Sequence, residues 1–138
     1  MTVSDFNQQI IEEFRANGGT VTTYGFGRNL VLVHHEGART GTRRIAPLFA
    51  LPTPDGGWWI AASKAGADDD PAWFHNLQAH PDTVIEHPDH GEVAVHAVVL
   101  EGADRDEVWA KFKEASPGFA GYEQKTSRVI PVVELRRR

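Results

Sequence analysis

Apolar positions along the chain alternate between helical and strand periods. Phe6, Ile10, Ile11 and Phe14 recur at helical spacing, Ser4 or Asp5 stands where a cap is needed, and Gly18-Gly19 ends the run. Thr20 to Tyr24 is β-branched and aromatic and reads as extended. Leu30 to His34 reads as a buried strand, Gly37 to Gly41 as a turn, and Arg44 to Leu51 as the returning strand. Pro52 to Gly57 is a second turn, followed by a strand from Trp58 to Ser63. Asp68-Asp69-Asp70-Pro71 opens a helix with an Asp cap, Trp73 and Leu77 share one face, and the helix stops near His80-Pro81. Thr83 to His87 and Glu92 to Leu100 read as strands joined by Pro88 to Gly91, with Val93, Val95, Ala97 and Val99 on one face. Asp104 with Glu107 forms a capping box for a helix that gathers Val108, Trp109 and Phe112. Val129 to Leu135 is the final strand, and Pro131 places it at an edge or a bulge.

This pattern predicts about six to seven strands and three short helices. Helices do not separate consecutive strands, which argues against a doubly wound parallel sheet. The expected class is mostly β with flanking helices (α+β), an antiparallel barrel in a single domain spanning 1–138. Within it, 1–18 forms an N-terminal helix and 136–138 a solvated tail.

Composition changes this picture in two places. The 138 residues carry 14 Lys and Arg against 19 Asp and Glu, a net charge of −5, which argues against general nucleic-acid binding. Yet Arg39, Arg43 and Arg44 lie within six positions that hold no acid, and Arg136 to Arg138 form a second basic run. Cysteine is absent, which removes disulfides, thiolate metal sites and cysteine nucleophiles, so redox chemistry would belong to a bound cofactor. Met1 to Phe14 has no apolar core of a signal peptide, and no apolar run is long enough to span a bilayer; a cytoplasmic location is expected.

Three segments could carry chemistry. Gly37 to Arg44 offers a tight glycine turn, the hydroxyls of Thr40 and Thr42 and a group of guanidiniums suited to phosphate or carboxylate. It matches neither a Walker A loop nor a dinucleotide fingerprint, and an ordinary hairpin loop with solubilising arginines would read the same. Ala61 to Gly66 has small residues against which a flat ring can lie, with Ser63 and Lys64 beside them; a plain strand-to-loop junction is the alternative. Pro71 to Leu77 starts a helix, an anion-friendly element, although Trp73 and Leu77 also fit a core. The seven histidines lack H-E-x-x-H spacing, and His34 and His35 as strand neighbours would face opposite sides. Ser116 to Tyr122 reads as a flexible aromatic-bearing stretch, either a lid or a pinned loop. No Ser–His–Asp arrangement is legible.

In this order, the segments GARTGTRRIAPL (Gly37 to Leu48), AASKAGA (Ala61 to Ala67), PAWFHNLQAHPD (Pro71 to Asp82) and PGFAGYEQKTSRVIPVV (Pro117 to Val133) resemble the deazaflavin-dependent nitroreductase family. These are split β-barrel enzymes that use reduced coenzyme F420. The resemblance implies that Arg39, Thr40 and Gly41 bind the cofactor's phosphate and tail. It implies that Arg44, Ile45, Ala46 and Pro47 run beneath the deazaflavin ring. Ala61, Ala62, Ser63 and Lys64 would contact the ring and the polyglutamate tail, and Trp73 and Asn76 would form the cofactor-side face of the short helix. Tyr122 would line the substrate pocket and orient substrate or relay a proton.

The activity so implied is hydride transfer from F420H2 to a planar activated acceptor, an enone, quinone or nitro compound. The same barrel loaded with FMN, and a non-catalytic carrier of a planar ligand, are the alternatives. A homodimer is compatible with the family's habits, whereas nucleic acid and an integral membrane segment are not expected.

Overall fold

The computed structural model describes residues 3–138. Helix α1 (Val3–Ala16) buries Ile10, Ile11 and Phe14. Asp5 sits inside its first turn, and the position ahead of Val3 lies outside the described residues. The helix stops where the N–H of Gly19 reaches the carbonyl of Phe14 at 2.8 Å and Gly18 takes φ +61°, a Schellman-type closure. The extended segment expected at Thr20 to Tyr24 shrinks to one bridge, Val21 to Gly27, around a 3-10 turn at Thr23–Gly25. Among the described residues no strand pairs with that stretch beyond this bridge; Glu13 accepts the N–H of Thr23 at 3.1 Å and ties it to α1.

Among the described residues seven strands form one antiparallel sheet: β1 (Leu30–Glu36), β2 (Arg43–Phe49), β3 (Leu51–Pro52), β4 (Trp58–Ala61), β5 (Asp82–His87), β6 (Gly91–Val99) and β7 (Val132–Arg137). Their order is β2-β1-β5-β6-β7-β4-β3. The two edges of this curled sheet are consecutive parts of one segment. Arg43 to Phe49 pairs with β1, the chain breaks step at Ala50, and Leu51-Pro52 pairs with β4. The strand expected to run unbroken from Arg44 to Leu51 is therefore shared between both edges, which is how the barrel curls shut. Its interior is filled by Val31, Val33, Trp58, Ile60, Ile85, Val93, Val95, Val133 and Leu135, and the expected alternation of β6 holds through Ala97 and Val99.

Helix α2 (Ala72–Ala79) sends Trp73, Phe74 and Leu77 into that interior. The expected Asp cap is absent: Pro71 occupies the cap position, and Asp70 pairs with Arg128 at 2.9 Å. Helix α3 (Gly102–Ala115) starts ahead of the expected capping box, with Glu101 at its cap position and no capping side chain. Val108, Trp109 and Phe112 are buried against the outside of β4 and β7 as the spacing requires. A fourth helix, α4 (Gly118–Lys125), replaces the flexible stretch expected there; Phe119 is its buried anchor, edge-on to Phe112 and Trp109. On the other side of the barrel α1 covers Leu30, Leu32 and Ile45.

The expected solvated tail is also corrected. Arg136 and Arg137 continue β7 opposite His96 and Val95, and the Arg137 guanidinium lies 4.9 Å over the Trp58 ring. A neighbouring strand to pair with outweighs the charge of these side chains, which stay exposed. Among the described residues no helix is long and apolar enough to cross a membrane.

Candidate functional site

The β1–β2 loop is built on two glycines. The N–H of Gly37 donates to Thr42 at 2.9 Å, that of Gly41 returns to Gly37 at 2.9 Å, and Gly41 takes φ +69°. A Cβ on Gly37 would stand 2.6 Å from the Thr40 hydroxyl, which would have to swing aside to admit a side chain there. Arg39, Thr40, Gly41 and Arg44 are exposed. Among the described residues no carboxylate pairs with Arg39, Arg43 or Arg44, whereas Arg15, Arg28, Arg105, Arg128 and Arg136 each hold one.

Asn76 fixes this loop from below. Its Oδ1 accepts the N–H of Ala38 at 3.0 Å, and its Nδ2 lies 2.9 Å from Nδ1 of His35. Both residues are buried. Burial, with the charge of Arg44 and of His34 added to it, lowers the His35 pKa to about 4. The neutral ring then accepts the Asn76 amide N–H at Nδ1, which orients the amide oxygen toward the loop. On the opposite face of β1, His34 contacts Glu86 at 2.8 Å, so the two histidines do diverge.

The second segment follows β4. The N–H of Ala62 donates to the carbonyl of Pro131 at 2.9 Å, and Lys64, Ala65 and Gly66 then take φ +46°, +53° and +83°. The Lys64 ammonium pairs with Asp69 at 3.0 Å, and the hydrogen bond lowers the Asp69 pKa. Helix α4 packs directly on this turn: a Cβ on Gly66 would lie 2.9 Å from the Tyr122 carbonyl. The half-buried Tyr122 ring stands edge-on to Phe119 at 5.9 Å, with the Lys125 ammonium 5.9 Å from its centre.

The fold sorts the predicted residues by depth. Ala46, Ala62 and Trp73 meet in the barrel interior, Ile45 turns to α1, and Ala61 joins Tyr122 in the cluster under α3 and α4. Pro47 and Ser63 are half-buried and buried respectively. The exposed polar rim consists of Arg39, Thr40, Gly41, Arg44 and Lys64. Both amide ends of Asn76 serve the protein itself.

Two functional candidates carried no sequence signal, His35 and Arg128, because their partners lie far along the chain: the Asn76 amide for the first, and three backbone carbonyls with the Asp70 carboxylate for the second. Two clefts, of 690 Å³ beside Phe6 and Tyr24 and of 370 Å³ between Arg28, Trp58 and Arg137, contain none of the predicted positions. No group of three or more His, Asp or Glu side chains gathers as a metal site would among the described residues.

The family model described as F420H(2)-dependent quinone reductase matches residues 7–136. An F420H(2)-dependent quinone reductase of Mycobacterium tuberculosis is 36% identical over 110 residues, covering 78% of this chain and 73% of that protein. A solved F420-H2 dependent reductase is 34% identical, with a TM-score of 0.71 over 79% of this chain and 95% of its own. A second solved chain, described as a domain-swapped dimer, is 30% identical, with a TM-score of 0.73 over 98% and 100%. The extent of these matches, on a split barrel with an arginine-rimmed loop, places the chain in the F420H(2)-dependent quinone reductase family as an F420-dependent reductase.

Proposed function

We propose that the chain passes hydride from F420H2 to a planar quinone-type acceptor, with enones and nitro compounds as further members of the acceptor class. The observation that carries the site assignment is the rim of Arg39, Arg43 and Arg44, exposed and without carboxylate partners, on a loop whose Ala38 N–H is held by Asn76. On a chain of net charge −5, such a rim fits an anionic group, and coenzyme F420 carries a phosphodiester and carboxylates. When bound, the deazaflavin supplies a hydride as a two-electron donor.

The residues of this chain bind and orient. Arg39, Thr40 and Gly41 hold the phosphate end, and the β2 backbone from Arg44 to Pro47 supports the ring. Ala61, Ala62, Ser63 and Lys64 form the wall of small residues and its polar margin, while Trp73 fills the interior behind that wall. Holding donor and acceptor together removes the entropy of a two-body encounter, worth up to ~7–11 kcal/mol in the best intramolecular cases. Tyr122, on the helix packed against the small-residue turn, holds the acceptor and can pass a proton from its hydroxyl. The relative of M. tuberculosis, named as a quinone reductase, supports the acceptor class. A homodimer is part of the same proposal, supported by the solved chain described as a domain-swapped dimer.

The test is a fluorescence titration of the protein with F420, run beside FMN, followed by steady-state turnover with a soluble naphthoquinone. Saturable F420 binding with quinone-dependent oxidation of F420H2 supports the proposal. Binding without turnover on any acceptor class makes the chain a carrier, and response to FMN alone overturns the site assignment.

A further inference from the structure

Arg128 lies between α4 and β7, largely buried, and every contact of its guanidinium with another segment goes to residues 62–70. Its Nε donates to the Ala67 carbonyl at 2.8 Å, Nη1 to the Ala62 carbonyl at 3.1 Å and to Asp70 at 2.9 Å, and Nη2 to the Ser63 carbonyl at 2.9 Å. The same segment contains the consecutive left-handed residues Lys64, Ala65 and Gly66. For Lys64 and Ala65 that conformation costs free energy and persists only where the surroundings hold it.

The direction of the held carbonyls has a consequence. The peptide bonds are trans, and across a trans peptide the C=O and the next N–H point in opposite directions. Arg128 draws the carbonyls of Ala62 and Ser63 to its own side, so the N–H groups of Ser63 and Lys64 are directed away from it. Ser63 is right-handed and Lys64 left-handed, the alternation that gathers successive N–H groups into an anion-accepting concavity. The bonds that close the turn are donated further on, by Gly66 to Ser63 and by Ala67 to Lys64.

We propose that Arg128 is a positioning residue that locks this turn so that the backbone N–H groups of Ser63 and Lys64 form a donor pair for an oxygen of the bound deazaflavin. The inference rests on the assignment of Ala61 to Lys64 to the cofactor site. It makes Arg128 act through the backbone, without touching cofactor or acceptor.

The test uses Arg128→Ala, Ala65→Val and the double variant Arg128→Ala/Ala65→Gly, each titrated with F420 and assayed for the KM of a soluble quinone. Arg128→Ala is expected to weaken F420 binding about tenfold with the quinone KM nearly unchanged. Glycine at 65 takes the left-handed backbone without strain and is expected to recover much of that loss. Ala65→Val leaves Arg128 in place at an exposed position but disfavours the conformation, so it is expected to weaken F420 binding as well. It also answers the question should Arg128→Ala fail to fold. Wild-type binding of F420 with unchanged affinity in Ala65→Val overturns the inference alone, as does equal loss in Arg128→Ala with and without glycine at 65. Absence of F420 binding by the wild-type protein overturns the cofactor-site assignment itself, and the inference with it.

Discussion

At the scale of single residues, the site divides into groups offered to a ligand and groups spent on holding them. Arg39, exposed and without a carboxylate partner, is proposed for the first kind. Arg39→Ala is expected to lose about 1.5–3 kcal/mol of F420 affinity, a roughly 10- to 150-fold rise in Kd by fluorescence titration; an unchanged Kd would remove the phosphate assignment. Tyr122→Phe is expected to lower turnover several-fold while leaving F420 affinity near wild type, a split visible in kcat against Kd. His35 is of the second kind. Its folded pKa is about 4 against an ordinary 6.5, so the unfolded chain binds the extra proton between those values. Its contribution is complete above pH 6.5 and falls away as pH drops toward 4, by about 3 kcal/mol in all. Urea unfolding at pH 7 and pH 5 should show about 2 kcal/mol of that loss in the wild type and a smaller one in His35→Gln; equal pH dependence in both would show that His35 is not the group responsible. The exposed, unpaired state of Arg39 was legible because charge without counter-charge shows in a sequence. The role of Asn76 was not, since its partners, Ala38 and His35, lie some forty positions away.

At the scale of elements, period was the reliable signal and local caps were not. Val93, Val95, Ala97 and Val99 alternate in the sequence and share the barrel interior, and Val108, Trp109 and Phe112 meet as their spacing demands. The acids at 68–70 look like a helix cap, but the buried guanidinium of Arg128 claims Asp70 and Lys64 claims Asp69. Helix α4 was hidden by Pro117, Gly118 and Gly121, which read as a loop until Phe119 finds the aromatic pocket made by Phe49, Trp109 and Phe112. The end of α1 sets a glycine held by backbone conformation alone beside one, at φ +96°, held by conformation and crowding together. A Cβ at Gly18 meets nothing within 4 Å, so Gly18→Ala is expected to cost about 1 kcal/mol through its left-handed backbone alone. At Gly19 the Cβ would stand 2.5 Å from Pro88, and Gly19→Ala is expected to cost clearly more. Chemical denaturation of the two variants side by side measures the difference, and equal costs would contradict the close approach of α1 to the β5–β6 turn.

At the scale of the whole molecule, the barrel is held by pairings between distant parts of the chain. Class and strand number follow from local pattern, but the order β2-β1-β5-β6-β7-β4-β3 does not, because nothing local says that Ala61 will lie opposite Val132. Strand β7 sits between β6 and β4 and is the last of the seven to be made. During synthesis β4 and β6 must therefore wait, unpaired along the sides they will share with it, while their apolar faces are already outside the ribosome. Topologies of this kind fold in the millisecond-to-second range, and their incomplete forms present strand edges that other chains can join. The sides left open in this way are where the incomplete chain is most exposed to wrong pairing, and its yield on expression is expected to respond to lower temperature more than to its final stability.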